Sequence, residues 1–339
     1  MLEKLNKSKT NLSIKLKGLG KVELKKCDIP KLSQGEVLLE VIACGLCASD
    51  IKVIEGKKPA KPGITLGHEI VGRVVESKNE KVEVGKIYSV YPSVVCGKCY
   101  SCKRGYYNLC TNKMSLGYSL DGGFARYVRI PKEIVDIGGL IYIGKIPETL
   151  GAIIEPAGCV LNSLKSSEID RIESMLVVGG GALGLFHIII GKHFGKTISI
   201  LEHNEERRRL AETLGASKTY EDIKEIKDNF DLIILACSAY DLVKELIELL
   251  NVRGIINVFA GSRYENITIP IGSFHYQERK IIGTHSTTPT LMKEVSAIVE
   301  KNIDSFQKVI THQFSIKDFE KALKYYKERK AIKVLITPD

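Results

Sequence analysis

The stretch SMLVVGGGALGLFHIIIGKHF, residues 174–194, leaves this chain few ways to fold. SMLVV has the pattern of a buried strand, three glycines break it, and ALGLFHIIIGKHF runs at helical length until Gly195. A strand that turns through glycines straight into a helix is the first half of a βαβ unit, whose next strand lies parallel to the first. TISILE supplies that strand. Asn204 is a good N-cap for EERRRLAETLG, Glu205 and Glu206 sit in the first turn, and Gly215 stands where that helix should stop. DLIILAC, DLVKELIELL and GIINVFAG continue the alternation, so the expectation is α/β, a doubly wound parallel sheet over residues 151–284.

Gly179, Gly181 and Gly184 complete G-x-G-x-x-G at that turn, and Glu202 closes the following strand 23 residues after Gly179. Small residues there let the backbone approach a pyrophosphate, which sits at the N-terminus of the helix opened by Ala182 and Leu183. A carboxylate at Glu202 can hold both ribose hydroxyls of NAD and repel the 2′-phosphate of NADP, although Arg207 and Arg208 stand nearby. The competing reading is a glycine turn that serves only close packing of helix and strand.

The rest of the chain has a different texture. LSIKLKG, KVELKKC, GEVLLEVIAC, EIVGRVVE and KIYSVYP are short β-like runs, and GGFARYVRIP resumes the pattern at 122–131. They point to an antiparallel, β-rich, barrel-like unit. After about residue 285 the alternation of strand and helix ends, and FEKALKYYKERKAIKVLITP reads as a helix and a last strand.

Between the β-like runs lies CGKCYSCKRGYYNLC, residues 96–110, with spacing C-x2-C-x2-C-x7-C. A disulfide knot, a redox centre, a nucleic-acid finger and a metal clip all start this way. The formal charge of +10 invites the finger, but residues 1–30 alone hold eight lysines against Glu3, Glu23 and Asp28. The remaining excess is spread over the chain without long basic runs, so no nucleic-acid partner is expected. MLEKLNKSKTNLSIKLKG has no apolar core of signal-peptide length, and the longest apolar stretch is broken by glycines, so no membrane span is expected and a cytoplasmic location is the expectation. Nine cysteines in a reducing compartment are poor disulfide staples, which favours metal for Cys96, Cys99, Cys102 and Cys110.

A second constellation is CGLCASD (44–50) followed by LGHE (66–69). Cys47 and His68 are soft and borderline ligands suited to zinc. Cys44 and Cys47 could also form a redox pair, but such a motif should open a helix and this one lies in β-like sequence.

With these stretches in order, the chain resembles the zinc-dependent medium-chain alcohol dehydrogenases, in the branch of the sorbitol and threonine dehydrogenases. The resemblance rests on GEVLLEVIACGLCASD, LGHEIVGRV, the four-cysteine lobe, DGGFARYV, IEPAG, VVGGGALG and AIKVLI, and it runs from about residue 12 to the end. It implies a catalytic domain, a partly open β-barrel, built from residues 1–150 and 285–339, with a Rossmann domain between. It implies two zinc ions per chain: a structural one on Cys96, Cys99, Cys102 and Cys110, and a catalytic one on Cys47 and His68, with Glu69 and Glu155 at the further ligand positions. Ser49 matches the relay hydroxyl beside the substrate oxygen, against the alternative of a turn serine, and Asp50 matches the acid that supports the zinc-bound histidine. The reaction implied is Lewis-acid activation of a secondary alcohol, more a polyol, sugar alcohol or amino alcohol than a simple alkanol, with hydride passing to NAD. A homodimer or homotetramer, joined near Lys280–Thr284, is implied as well. The chain departs from the family at Lys52, where many relatives end their relay with histidine. A lysine there is a poor proton acceptor and a better anchor for an anionic group. A non-catalytic member kept for binding is the alternative, which an open zinc site argues against.

Overall fold

The structure is a computed structural model and describes residues 10–261 and 266–338. Residues 1–9, which carry part of the N-terminal basic stretch, lie outside the described residues. The chain divides into two compact units: Met1–Glu155 with Thr288–Ile303 and Ile310–Asp339, and Pro156–Thr287 with Asp304–Val309. These divisions fall a few residues beyond the expected 150 and 284, and residues 304–309 return to the second unit. No helix among the described residues is long and apolar enough to cross a membrane.

The second unit is built on a six-stranded, wholly parallel sheet. Its strands lie in the order Lys218–Tyr220, Thr197–Leu201, Ser174–Val178, Phe230–Leu235, Leu250–Val258 and Lys280–Gly283. Numbered along the chain that is 3-2-1-4-5-6, the doubly wound order of dinucleotide-binding sheets, with the first strand at the reversal point. Met175–Val178, Ile198–Leu201 and Leu232–Leu235 are buried at every position, as strands covered on both faces must be. The helix Ala182–His193 ends where Gly195 takes φ 72°, and Asn204 Oδ1 accepts the Arg207 N–H at 3.0 Å as the next helix begins.

The first unit is β-rich. Its seven-stranded sheet runs Ile310–Ser315, Lys333–Thr337, Val37–Leu46, Glu69–Ser77, Ile87–Val90 and Leu140–Tyr142, with Tyr127–Ile130 also paired to Val37–Leu46. Val37–Leu46 therefore has three partners and is buried at eight of its ten positions. The closing strand lies antiparallel to it, with Val334 opposite Leu46 and Leu335 opposite Gly45. That pairing brings the last residues of the chain beside the run that leads to Cys47. Each unit has its own apolar core, one around Val41, Ile70, Phe124 and Phe319, the other around Leu176, Ile233, Leu246 and Ile256.

Candidate active site

Two groups of side chains among the described residues bring metal-ligating atoms within 4.8 Å of one another: Cys47, His68 and Glu69, and Cys96, Cys99, Cys102 and Cys110. In the first group the strand Val37–Leu46 delivers Cys47 as N-cap of the helix Ala48–Ile54. Asp50, the third residue of that helix, accepts the Cys47 N–H at 2.9 Å through Oδ2, and its Oδ1 lies 3.2 Å from His68 Nδ1. One fully buried carboxylate thus secures both ligand candidates. It caps the helix at Cys47, and by accepting Nδ1–H it leaves His68 Nε2 for a metal. Burial pulls the His68 pKa down, but Tyr118, Asp50 and Cys47 outweigh it and hold it well above the usual histidine range. Ser49 Oγ donates to Cys47 Sγ at 3.2 Å and lies 2.7 Å from Tyr118 Oη and 3.5 Å from His68 Nε2.

The β-like sequence around Cys44 and Cys47 is strand only as far as Leu46: Cys47 opens a helix, contrary to the expectation that this pair does not, because Asp50 reaches back to cap it. Opening a helix does not make a redox pair of Cys44 and Cys47, since burial pushes the Cys44 thiol well above its ordinary value and reactive thiols need the reverse.

Glu69 opens its strand opposite Gly45. Lys333, 4% exposed on the closing strand, donates to Glu69 Oε2 and, at 3.3 Å, to the Leu46 carbonyl. The two side chains meet over the strand between them, where a Cβ at Gly45 would stand 1.9 Å from Glu69 Oε2 and 3.0 Å from Lys333 Cε. Gly45 is glycine to leave room for that ion pair. Burial acts to lower the Lys333 pKa, but Glu69 prevails and raises it, so the lysine is an ammonium.

Glu155 is 5% exposed in the first turn of the helix Ile154–Ser166 and does not join the 4.8 Å group. Lys52 is exposed on the helix Ala48–Ile54. A different lysine lies beside Tyr118: Lys58 is half-buried, with Nζ 3.9 Å from the centroid of the tyrosine ring. Burial lowers its pKa. Tyr118, Lys58 and Lys333 were not singled out from the sequence. Only Lys333 left a signal, as a lone charge inside the apolar closing strand.

The four-cysteine lobe is a local construction. Cys99 caps the short helix Tyr100–Lys103, Cys96 N–H donates to Cys110 Sγ at 3.3 Å, and the Cys96 and Cys102 sulfurs are 4.0 Å apart. Zinc–sulfur bonds of about 2.3 Å in a tetrahedron place sulfurs about 3.8 Å apart, so the donor set and its spacing fit zinc. Backbone N–H groups of Cys102 and Thr111 pull the Cys99 thiol down to about 5, while burial and neighbouring thiols push Cys102 up to about 12. Four such thiols cannot all ionise together without a cation between them. Of residues 96–110 only Cys102, Asn108 and Cys110 are buried.

At the glycine turn the three motif glycines differ. Gly179 has φ 103° and a Cβ there would stand 2.8 Å from Cys237 Cβ, while one at Gly184 would stand 1.9 Å from the Gly179 carbonyl. Both are required by the protein's own packing. A Cβ at Gly181, the N-cap, would meet nothing within 4 Å. The protein itself does not need glycine there, and what glycine keeps clear is the approach to the amides of Ala182 and Leu183. That is the fit expected for a pyrophosphate. Glu202 accepts the Gly180 N–H at 2.6 Å and the Asn204 N–H at 2.9 Å, which fixes its carboxylate beside the turn. Arg208 is engaged by the Glu202 and His203 carbonyls and by Glu221, whereas Arg207 contributes its backbone N–H to the Asn204 cap.

The model of the alcohol dehydrogenase GroES-like domain matches residues 33–137, and that of the zinc-binding dehydrogenases matches residues 182–301. A sorbitol dehydrogenase of Halalkalibacterium halodurans is 28% identical, over 95% of this chain and 97% of that protein. An L-threonine 3-dehydrogenase of Pyrococcus abyssi is 33% identical, over 69% of this chain and 63% of that protein. A Sinorhizobium meliloti 1021 protein described as a zinc-binding dehydrogenase, solved with NADP, superposes with a TM-score of 0.90 at 25% identity, over 98% of this chain and 100% of that one. The chain belongs to the zinc-dependent medium-chain alcohol dehydrogenase family.

Proposed function

We propose that the protein is an NAD-dependent zinc dehydrogenase that oxidises a secondary alcohol of the polyol, sugar-alcohol or amino-alcohol kind. The observation that carries this is the group Cys47, His68 and Glu69 with the Ser49 hydroxyl in reach, in a chain that also holds the G-x-G-x-x-G turn and Glu202. The likeness to sorbitol and threonine dehydrogenases supports the polyol and amino-alcohol leaning.

Cys47 and His68, with Glu69 or Glu155, would hold a zinc ion, and its chemistry there would be Lewis-acid polarisation of the substrate oxygen. Ser49 is the residue placed to take the hydroxyl proton. Its 2.7 Å contact to Tyr118 allows a hydroxyl relay in which Ser49 passes its own proton to Tyr118 Oη as Tyr118 releases its own to solvent, and this exit is better supported than one through the exposed Lys52. Asp50 keeps His68 in the tautomer that presents Nε2. The amides of Ala182 and Leu183 bind the cofactor pyrophosphate and Glu202 binds its ribose. Cys96, Cys99, Cys102 and Cys110 take a second, structural zinc. The nine free thiols suit the cytoplasm.

The test is steady-state reduction of NAD and of NADP by the zinc-loaded protein against a panel of polyols and amino alcohols. NAD is expected to give the higher kcat/KM. An equal or higher value with NADP would show that Glu202 does not select the cofactor, and no reduction of either with any member of the panel would remove the dehydrogenase reading.

The chain is further expected to form a homodimer or homotetramer through the strand Lys280–Gly283. It stands at the end of the parallel sheet, and Ile271 and Tyr276 are exposed on the helix before it. Such an edge needs covering. Sedimentation as a monomer at micromolar concentration would refute this.

A further inference from the structure

The helix Ala48–Ile54 ends in a Schellman turn. Glu55 is its C-cap, Gly56 takes φ 67°, the Gly56 N–H donates to the Val53 carbonyl at 2.9 Å and the Lys57 N–H to the Lys52 carbonyl at 2.7 Å. Gly56 is doubly constrained, because a Cβ there would also stand 2.0 Å from Leu19 Cδ1. The turn reverses the chain and aims Lys58, whose N–H also bonds the Lys52 carbonyl at 3.0 Å, back toward Tyr118. The Lys61 N–H donates to the Tyr118 carbonyl at 2.8 Å, so backbone and side chain hold the same contact. The Tyr118 ring then carries the ammonium on its face, 3.9 Å from the centroid, and its hydroxyl 2.7 Å from Ser49 Oγ.

What sets that ammonium apart is that it is half-buried against a ring face rather than beside a carboxylate. Lys57 and Lys327 pair with Glu55, Lys333 pairs with Glu69, and Lys15 pairs with Asp121. Among the described residues Lys58 pairs with no carboxylate and has only the ring face. The charged or titratable groups that act on it from a distance are Cys47, Asp50, Lys52 and Glu155. Asp50 is engaged by His68 and the Cys47 N–H, Cys47 belongs to the candidate metal group, and Glu155 acts on Lys58 only from beyond ion-pair distance. A half-buried cation without a counter-ion is costly, and a ring face offsets only part of that cost. An anion arriving beside Ser49 would complete it.

We propose that Lys58, backed by the Tyr118 ring, is a specificity-determining residue that takes an anionic group, phosphate or carboxylate, carried by the alcohol substrate one tyrosine ring away from the reacting hydroxyl. This rests on the dehydrogenase reading of the same site and narrows its substrate class to anionic alcohols.

The experiment compares the zinc-loaded full chain with its Lys58→Gln and Lys58→Arg variants, using sorbitol, sorbitol 6-phosphate and gluconate with NAD. The same three compounds are titrated calorimetrically in parallel. The wild type is expected to favour one anionic compound over sorbitol about tenfold or more, the usual size of a charge-assisted contact. Lys58→Gln should collapse that ratio about tenfold through KM, and Lys58→Arg should keep most of it. Which anion responds separates phosphate from carboxylate recognition. A flat ratio in the wild type, or a ratio unchanged in Lys58→Gln, overturns the anion subsite while leaving the dehydrogenase reading in place. Absence of turnover with a charge-dependent affinity that Lys58→Gln abolishes would do the opposite: the subsite stands and the dehydrogenase reading falls.

Discussion

The four-cysteine lobe and the Cys47–His68–Glu69 group both gather candidate metal ligands, but by opposite routes. The lobe draws all of its ligands from residues 96–110, and that segment buries almost nothing else: Tyr100, Tyr106 and Leu109 are large hydrophobics left exposed. The other group is held by contacts that need no metal. Asp50 caps Cys47 and orients His68, Lys333 holds Glu69, and Gly45 clears the space between them. In the lobe, therefore, metal binding is folding free energy. At the other site, on the proposed function, the fold comes first and holds the candidate ligands ready for a metal.

The sharpest way to break that comparison is to remove one ligand from each. Cys99→Ser or Cys102→Ser should cost the soluble protein itself, since a structural zinc site is worth about 10–16 kcal/mol in isolated peptides. Cys47→Ala or His68→Ala should lower turnover about a thousandfold or more, the several kcal/mol that a Lewis acid supplies, while the melting temperature stays close to that of the parent. Metal analysis should find two zinc ions in the loaded parent and one in the Cys47 variant. If the Cys47 variant precipitates as the Cys99 variant does, or if the fully loaded parent holds one zinc or fewer, the two sites do not differ in the way described.

The same contrast governs what could be read from the sequence. The lobe was legible because its ligands are neighbours in the chain, and the spacing C-x2-C-x2-C-x7-C is itself the structure. The glycine turn was legible for a similar reason, since strand, turn, helix and the acid at 202 are consecutive and each obeys a local rule. The supports of the active site were not. Lys333 reaches Glu69 across 264 positions of sequence, and only the register of the closing strand against Val37–Leu46 brings them together. No local pattern marks Gly45 as the residue that clears space for that ion pair. The helix at Cys47 is only seven residues long, too short for a periodic pattern, and its start is decided by one carboxylate three positions on. Tyr118 and Lys58 depend on turns at Gly117 and Gly56 whose direction no apolar pattern encodes.

Lys333 sharpens the comparison from the side of the active site. Lys333→Met would leave the Glu69 carboxylate, 1% exposed, without its counter-charge. Breaking a buried pair in this way costs about 3–5 kcal/mol, and the cost should appear in urea unfolding of metal-free and zinc-loaded protein alike, because the pair belongs to the fold. Adding Glu69→Leu should recover most of it, since replacing both partners by apolar groups leaves no buried polar atom unpaired. A loss seen only in the zinc-loaded protein would mean that the metal, not the scaffold, organises Glu69, and the two sites would then be alike.

Asp50→Asn is the finest of these tests, because it changes one atom's chemistry and little volume. Asp50 has two acceptor oxygens in use, Oδ2 for the Cys47 N–H and Oδ1 for His68 Nδ1–H. Asparagine keeps one acceptor. If that oxygen stays on the Cys47 N–H, the amide N–H2 faces His68 Nδ1 and can be satisfied only if the imidazole proton moves to Nε2, the atom needed for the metal. Loss of such a partner lowers metal affinity about 10- to 100-fold. Competition with a chromogenic chelator should therefore strip one zinc from Asp50→Asn at a chelator concentration that leaves the parent loaded, with the zinc on Cys96, Cys99, Cys102 and Cys110 retained in both. Asp50→Ala should add the loss of the helix cap, about 1 kcal/mol of stability, which asparagine largely preserves. Parallel loss of both zinc ions from Asp50→Asn would show that the lobe and the active site are coupled, and the separation drawn between them would fail.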